Sequence, residues 1–139
     1  AELSPGLQKT LEGLRALHSA EALVMRNNAD DNNAKPISAI PDLVSHPVVR
    51  THPETGRKAL YVNPYFTESF EGWTVEESRL MIDWLTKRAT RQENIYRHRW
   101  RKGDVLMWDN RCVMHYAVYD YGSKPRLFHR ATAAGDRPV

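Results

Sequence analysis

A single cysteine, Cys112, stands in the 139 residues, so the chain has no internal disulfide, and a lone thiol suits a reducing compartment. No apolar run reaches the length of about 18 residues that a membrane-spanning helix needs. The first residues show no charged-then-apolar leader pattern. The expectation is a cytoplasmic protein with no membrane partner. Charge of one sign is scarce as well: 20 Lys and Arg against 17 Asp and Glu leave a net charge of only +3. Part of that excess gathers in one stretch, at Lys87, Arg88, Arg91, Arg97, Arg99, Arg101 and Lys102. Such a run can follow a phosphate backbone. Neither a zinc finger nor a glycine-rich RNA-binding signature accompanies it, so we read it as a solvated helix end and an outer strand face, with no nucleic acid as partner. Repeats, low-complexity tracts and alternating βα units are also missing, which argues against a Rossmann-type sheet.

What is there is the balance of a globular protein, 41% hydrophobic and 27% charged, long enough for one domain and too short for two ordinary ones. Ser4 and Pro5, followed by Leu7, Leu11, Leu14 and Leu17, predict a capped helix over about 4–18 with one apolar stripe. The segment NNADDNNAKP carries almost no apolar content, and an exposed loop is expected across 28–44. From His46 the texture turns β-rich. HPVVRT (46–51) and KALYVN (58–63) flank the turn Pro53-Glu54-Thr55-Gly56. Thr74 and Glu77 form a capping box that opens a helix through about Arg88. Strands are then predicted over 94–100, 104–108, 112–119 and 126–133. Many short strands with two helices favour a mainly β barrel or sandwich with helices on its outside.

Side chains alternate along a strand, so Arg126, Phe128 and Arg130 share one face of the last one. Two arginines there lie roughly 13 Å apart at about 3.3 Å per residue. If that face lines an interior, each cation needs an anion, and the planar guanidinium suits carboxylates or sulfonates. The alternative, with both arginines in solvent and Leu127 inside, is equally open on composition. His115, one hairpin upstream, reads on its own as a hydrogen-bonded core histidine more readily than as a ligand. Tyr61 and Asn63 share a face of their strand, where Tyr61 either borders a pocket or packs in the core.

The string WDNRCVMHYAVYDY, followed by RLFHRATAAGDRP, resembles the C-terminal signature of the TauD/TfdA family, which contains taurine dioxygenase, alkylsulfatases and 2,4-dichlorophenoxyacetate dioxygenase. HPVVRTHPETGRKALYVN and LSPGLQKTLEGLRALHS are similar to earlier segments of the same family, in the same order. The resemblance implies the C-terminal part of a double-stranded β-helix (a jelly roll), with residues 1–139 as one portion of a single domain. It implies Fe(II) held by a facial triad of two histidines and a carboxylate, with 2-oxoglutarate as co-substrate. Residue by residue, His115 matches the triad's second histidine and Arg126 the arginine that grips 2-oxoglutarate. Arg130 matches an arginine that binds the substrate's anionic group, and Tyr61 would border the substrate. Trp108, Asp109, Asn110 and Arg111 match a turn that holds the histidine's strand, a structural role. The expected reaction takes O2 and a small anionic substrate, a sulfonate or sulfate ester such as taurine, to an aldehyde, sulfite or sulfate, succinate and CO2. A phenoxyacetate-type dioxygenase and a metal-free binding module on the same fold are the alternatives.

The family's first two ligands form a His-x-Asp pair upstream of the helix with which this chain opens, and no His-x-Asp occurs here. The only His-x-Glu, His52-Pro53-Glu54, falls on the strand-turn segment and is rejected as a surrogate. One histidine cannot hold iron in a usable site. The chain alone is therefore expected to be inactive, with the missing N-terminal portion of the same protein as its partner. Relatives are commonly oligomeric, so a homo-oligomer is also implied.

Overall fold

The structure, a computed structural model, describes residues 3–21, 24, 25, 43–123, 125, 127–135 and 138. Helix α1 covers Pro5–Glu12, with the Ser4 hydroxyl accepting from the Leu7 amide and proline in its first turn. It is shorter than expected: Gly13 ends it, and Arg15–His18 turns outward as strand β1. The leucine periodicity ran on past the stop because Leu17 belongs to β1 and Leu14 to the link before it rather than to the helix.

Strand β1 is the centre of a three-stranded antiparallel sheet in the order β2-β1-β5. β2 is Val44–Pro47 and β5 is Thr67–Phe70. The loop expected over 28–44 lies outside the described residues up to 42, and its last residue, Val44, already belongs to β2. β3 (Val49–Thr51) and β4 (Lys58–Leu60) form a separate antiparallel hairpin around the predicted turn. HPVVRT thus supplies two strands, because the chain changes partner at Val48: the Val48 amide donates to Leu14, while its carbonyl accepts from Tyr61. β5 was not foreseen, since TESF lacks the aliphatic run that marks a strand.

Helix α2 (Val75–Ala89) starts at the expected capping box, with Thr74 and Glu77 each accepting from the other's backbone amide. It packs on β5, and Ser78 secures the contact: its buried hydroxyl accepts from the Phe70 amide and donates to the Thr74 carbonyl. The core gathers Leu11, Ala16, Val48, Val62, Phe70, Ile82 and Leu85 between the helices and the sheet.

Beyond a short 3-10 turn at Gln92–Asn94, the chain makes turns at Arg101–Asp104 and Asp109–Cys112 but no helix and no β-ladder among the described residues. The strands predicted over 94–100, 104–108, 112–119 and 126–133 therefore find no hydrogen-bonded neighbours here. Their apolar side chains stand out in solvent: Val105 is 92% exposed, Met107 89% and Leu127 85%. A strand exists only as half of a pair, and single ones leave both their backbone groups and their apolar faces unsatisfied.

Candidate functional site

The register of the small sheet builds a cavity at its edge. Ala16 faces His46 across β1 and β2, and His18 lies two residues further along β1, so both imidazoles project from the same face. Their ring centres are 5.2 Å apart, edge to face. Tyr61, just beyond β4, stacks on His18 at 5.6 Å and meets His46 edge-on at 5.5 Å. Val44, Asn63 and Phe66 help to line an open cavity of about 330 Å³ around this cluster. Asn63 shapes the turn below it, its carbonyl accepting from the Phe66 and Thr67 amides and its side chain from that of Tyr65.

The cavity carries little charge. Burial, with His46 close by, pulls the His18 imidazole down to about 4 from the ordinary value, so the ring is neutral at pH 7. The Arg50 guanidinium is buried and lies over the Tyr61 ring, 5.3 Å from its centre.

Of the residues singled out in the sequence, Tyr61 reaches a cavity. His115 does not line it: it is exposed, with its ring 5.0 Å from Trp108. Arg130 is exposed, and Arg126 lies outside the described residues. The structure therefore does not bring His115, Arg130 and Tyr61 together. His18 and His46 went unremarked in the sequence. The only hint was two histidines in short β-rich runs, and their partnership depends on a register between segments far apart in the chain.

The Trp108–Arg111 turn does hold on to the rest of the fold. Asp109 accepts from His52 Nε2 at 3.0 Å, and Arg111 clasps both Asp109 oxygens while reaching Glu54 at 3.0 Å. The ligand atoms of His52, Asp109 and Cys112 lie within 4.8 Å of one another, close enough to suggest a metal. The hydrogen bonds argue otherwise. His52 Nδ1 accepts from the Glu54 and Thr55 amides, which puts the ring proton on Nε2, and Asp109 is already neutralised by Arg111. The Arg111 hydrogen bonds hold the Asp109 carboxyl well below the usual range, as expected of a structural ion pair.

Residues 1–132 match the profile of the family described as taurine catabolism dioxygenase TauD, TfdA family. The chain belongs to the TauD/TfdA family. It is 37% identical over 99% of its length to an alpha-ketoglutarate-dependent sulfate ester dioxygenase of Pseudomonas putida, covering 48% of that protein. It is 42% identical over 96% of its length to the 2,4-dichlorophenoxyacetate dioxygenase of Cupriavidus pinatubonensis, covering 46%. An alkylsulfatase of Acinetobacter baylyi is 45% identical over 66% of the chain, which covers 28% of that protein. The chain thus spans less than half of each of these TauD/TfdA relatives. Among solved structures, a putative alpha-ketoglutarate-dependent taurine dioxygenase from Burkholderia xenovorans aligns over 72% of the chain and 31% of its own, at 33% identity and a TM-score of 0.55. AAD-2 in complex with Mn(II) and N-oxalylglycine aligns over 72% and 39%, at 26% identity and a TM-score of 0.59.

As for a metal, the described residues do not complete a site around His115: it belongs to no group of three metal-capable side chains among them. Within the described residues, no helix is long and apolar enough to cross a membrane.

Proposed function

We propose that this chain is the C-terminal part of an Fe(II)- and 2-oxoglutarate-dependent dioxygenase that hydroxylates a small anionic organic molecule. The observation that carries the reading is the family match over 1–132, a span that includes Tyr61, His115, Arg126 and Arg130. His115 is the iron ligand this chain contributes, and Arg126 clamps the far carboxylate of 2-oxoglutarate. Arg130 anchors the substrate's anionic group, and Tyr61 borders the substrate. The chain contributes no acid or base of its own; its part is placement and charge. When bound, the metal and 2-oxoglutarate supply the oxidation, with O2 consumed and succinate and CO2 released.

The remaining metal ligands belong to an N-terminal portion of the same protein. The relatives' greater length and the exposed apolar side chains after 94 both support that portion as the missing half of a double-stranded β-helix. Sulfate esters and sulfonates are the first substrate class. Phenoxyacetates are the second reading, favoured by the 42% identity to the dichlorophenoxyacetate enzyme.

The test is succinate formation by the full-length protein with Fe(II), 2-oxoglutarate and a panel of sulfonates, sulfate esters and phenoxyacetates. Substrate-dependent succinate, lost on His115→Ala, is the expected result. A protein that binds the anions but forms no succinate would instead be a metal-free binding module.

A further inference from the structure

We propose that the outer face of α2 is a two-fold contact between two copies of this chain, with the two helices packed antiparallel. Leu80 and Trp84 lie one turn apart on that face and are 76% and 46% exposed. Trp73, Met81 and, from α1, Leu7 extend them into an open groove of about 390 Å³. The opposite side of the helix, with Ser78, Ile82 and Leu85, is buried against the fold. The core therefore does not account for Leu80 and Trp84, which stand outside it. Apolar surface gathered in this way marks contacts between proteins.

The charges on α2 identify the occupant as a second copy. The first turn carries Glu76 and Glu77, and the last turn carries Lys87 and Arg88. The helix is thus complementary to itself when reversed. A two-fold axis level with Ile82 sets Leu80 against the partner's Trp84, because each lies two residues from the axis. The same axis brings Glu77 level with the partner's Lys87 and leaves Glu76 one position from it. At about 3.6 residues per turn, Glu76, Leu80, Trp84 and Lys87 share one face, so one register serves the apolar centre and both charged ends. Asp83, the remaining acid on that side, has Lys87 one turn ahead of it. A parallel pairing would instead set acid on acid and base on base.

The contact is independent of the chemistry proposed above, and sedimentation of the full-length protein over a range of concentrations tests it. The wild type should form a concentration-dependent dimer. Leu80→Glu should weaken it roughly a hundredfold or more, since the symmetry counts each lost apolar contact twice, while keeping a cooperative thermal melt. Lys87→Glu and Glu76→Lys should each weaken it about tenfold. Glu76 is the acid to exchange because Glu77 also caps the helix through Thr74. The double variant Glu76→Lys with Lys87→Glu should return to within about threefold of the wild type, a rescue that only a reversed copy of the same helix provides. A protein that is monomeric throughout, a dimer indifferent to Leu80→Glu, or a double variant no better than the singles would overturn the inference. So would a Leu80→Glu variant that unfolds, because the N-terminal portion would then be what covers the groove. Succinate formation by a monomeric variant would leave the proposed function standing in every case.

Discussion

His52 donates from Nε2 to Asp109 at 3.0 Å, joining the turn of the β3–β4 hairpin to the turn that precedes His115. The two residues are 57 apart in sequence, and Arg111, reaching from Asp109 to Glu54, doubles the link. This contact fastens the extended C-terminal third to the folded body. In the proposed enzyme it holds the start of the strand that carries the iron ligand.

Replacing His52 with Phe should cost about 1–3 kcal/mol, because it leaves the Glu54 and Thr55 amides without their acceptor and removes one donor to Asp109. Urea unfolding of the full-length protein measures it. Asp109→Asn should also destabilise, and a double-mutant cycle should return a clear coupling between the two positions; simple additivity would show that the link contributes nothing.

Stability should fall on mild acidification. His18 titrates near 4 in the folded protein and near 6.5 unfolded, so below 6.5 the unfolded chain takes up the proton that the folded one refuses. Unfolding free energy should therefore decrease as pH drops from about 6.5 to 4 and gain nothing from His18 above that window. His18→Phe should flatten the slope; an unchanged slope would mean that His18 is not buried as described.

Thr74→Ala removes one arm of the capping box and should cost about 1 kcal/mol, while Thr74→Ser should be close to neutral. Ile82→Ala, in the fully buried stripe of α2, should cost about 2–5 kcal/mol. Ile82→Ala melting at or above the temperature of Thr74→Ala would contradict the core described for this chain.

Arg130→Ala should raise KM for an anionic substrate by about tenfold or more, the loss of a charge-assisted hydrogen bond, and leave uncoupled 2-oxoglutarate turnover nearly intact. Arg126→Ala should instead raise the 2-oxoglutarate requirement. Equal losses of both activities in either variant would contradict the division of labour between the two arginines.

Local rules were legible in the sequence where local chemistry decides. The Thr74–Glu77 box, the proline-led start of α1 and the Pro53–Gly56 turn all stand where their residues put them. The leucine stripe misled at Gly13, since periodicity does not register a change from helix to strand when the next apolar residues fit both. β5 was hidden because Thr67 and Ser69 are buried polar residues that carry no hydrophobic signal. The same limit applies to the site. His18 and His46 meet only through the β1–β2 register, and His52 meets Asp109 only once two distant turns are packed together. The strands expected over 94–100, 104–108, 112–119 and 126–133 are not formed among the described residues, because pairing needs partners and they have none there.

The most direct measurement of the central proposal is anaerobic titration of Fe(II) and 2-oxoglutarate into the full-length protein, followed by the visible charge-transfer absorption of the chelated keto acid. The proposal predicts a saturable band for the wild type, no band for His115→Ala, and a band that needs far more 2-oxoglutarate for Arg126→Ala. A His115→Ala variant with the wild-type band and iron affinity would contradict it.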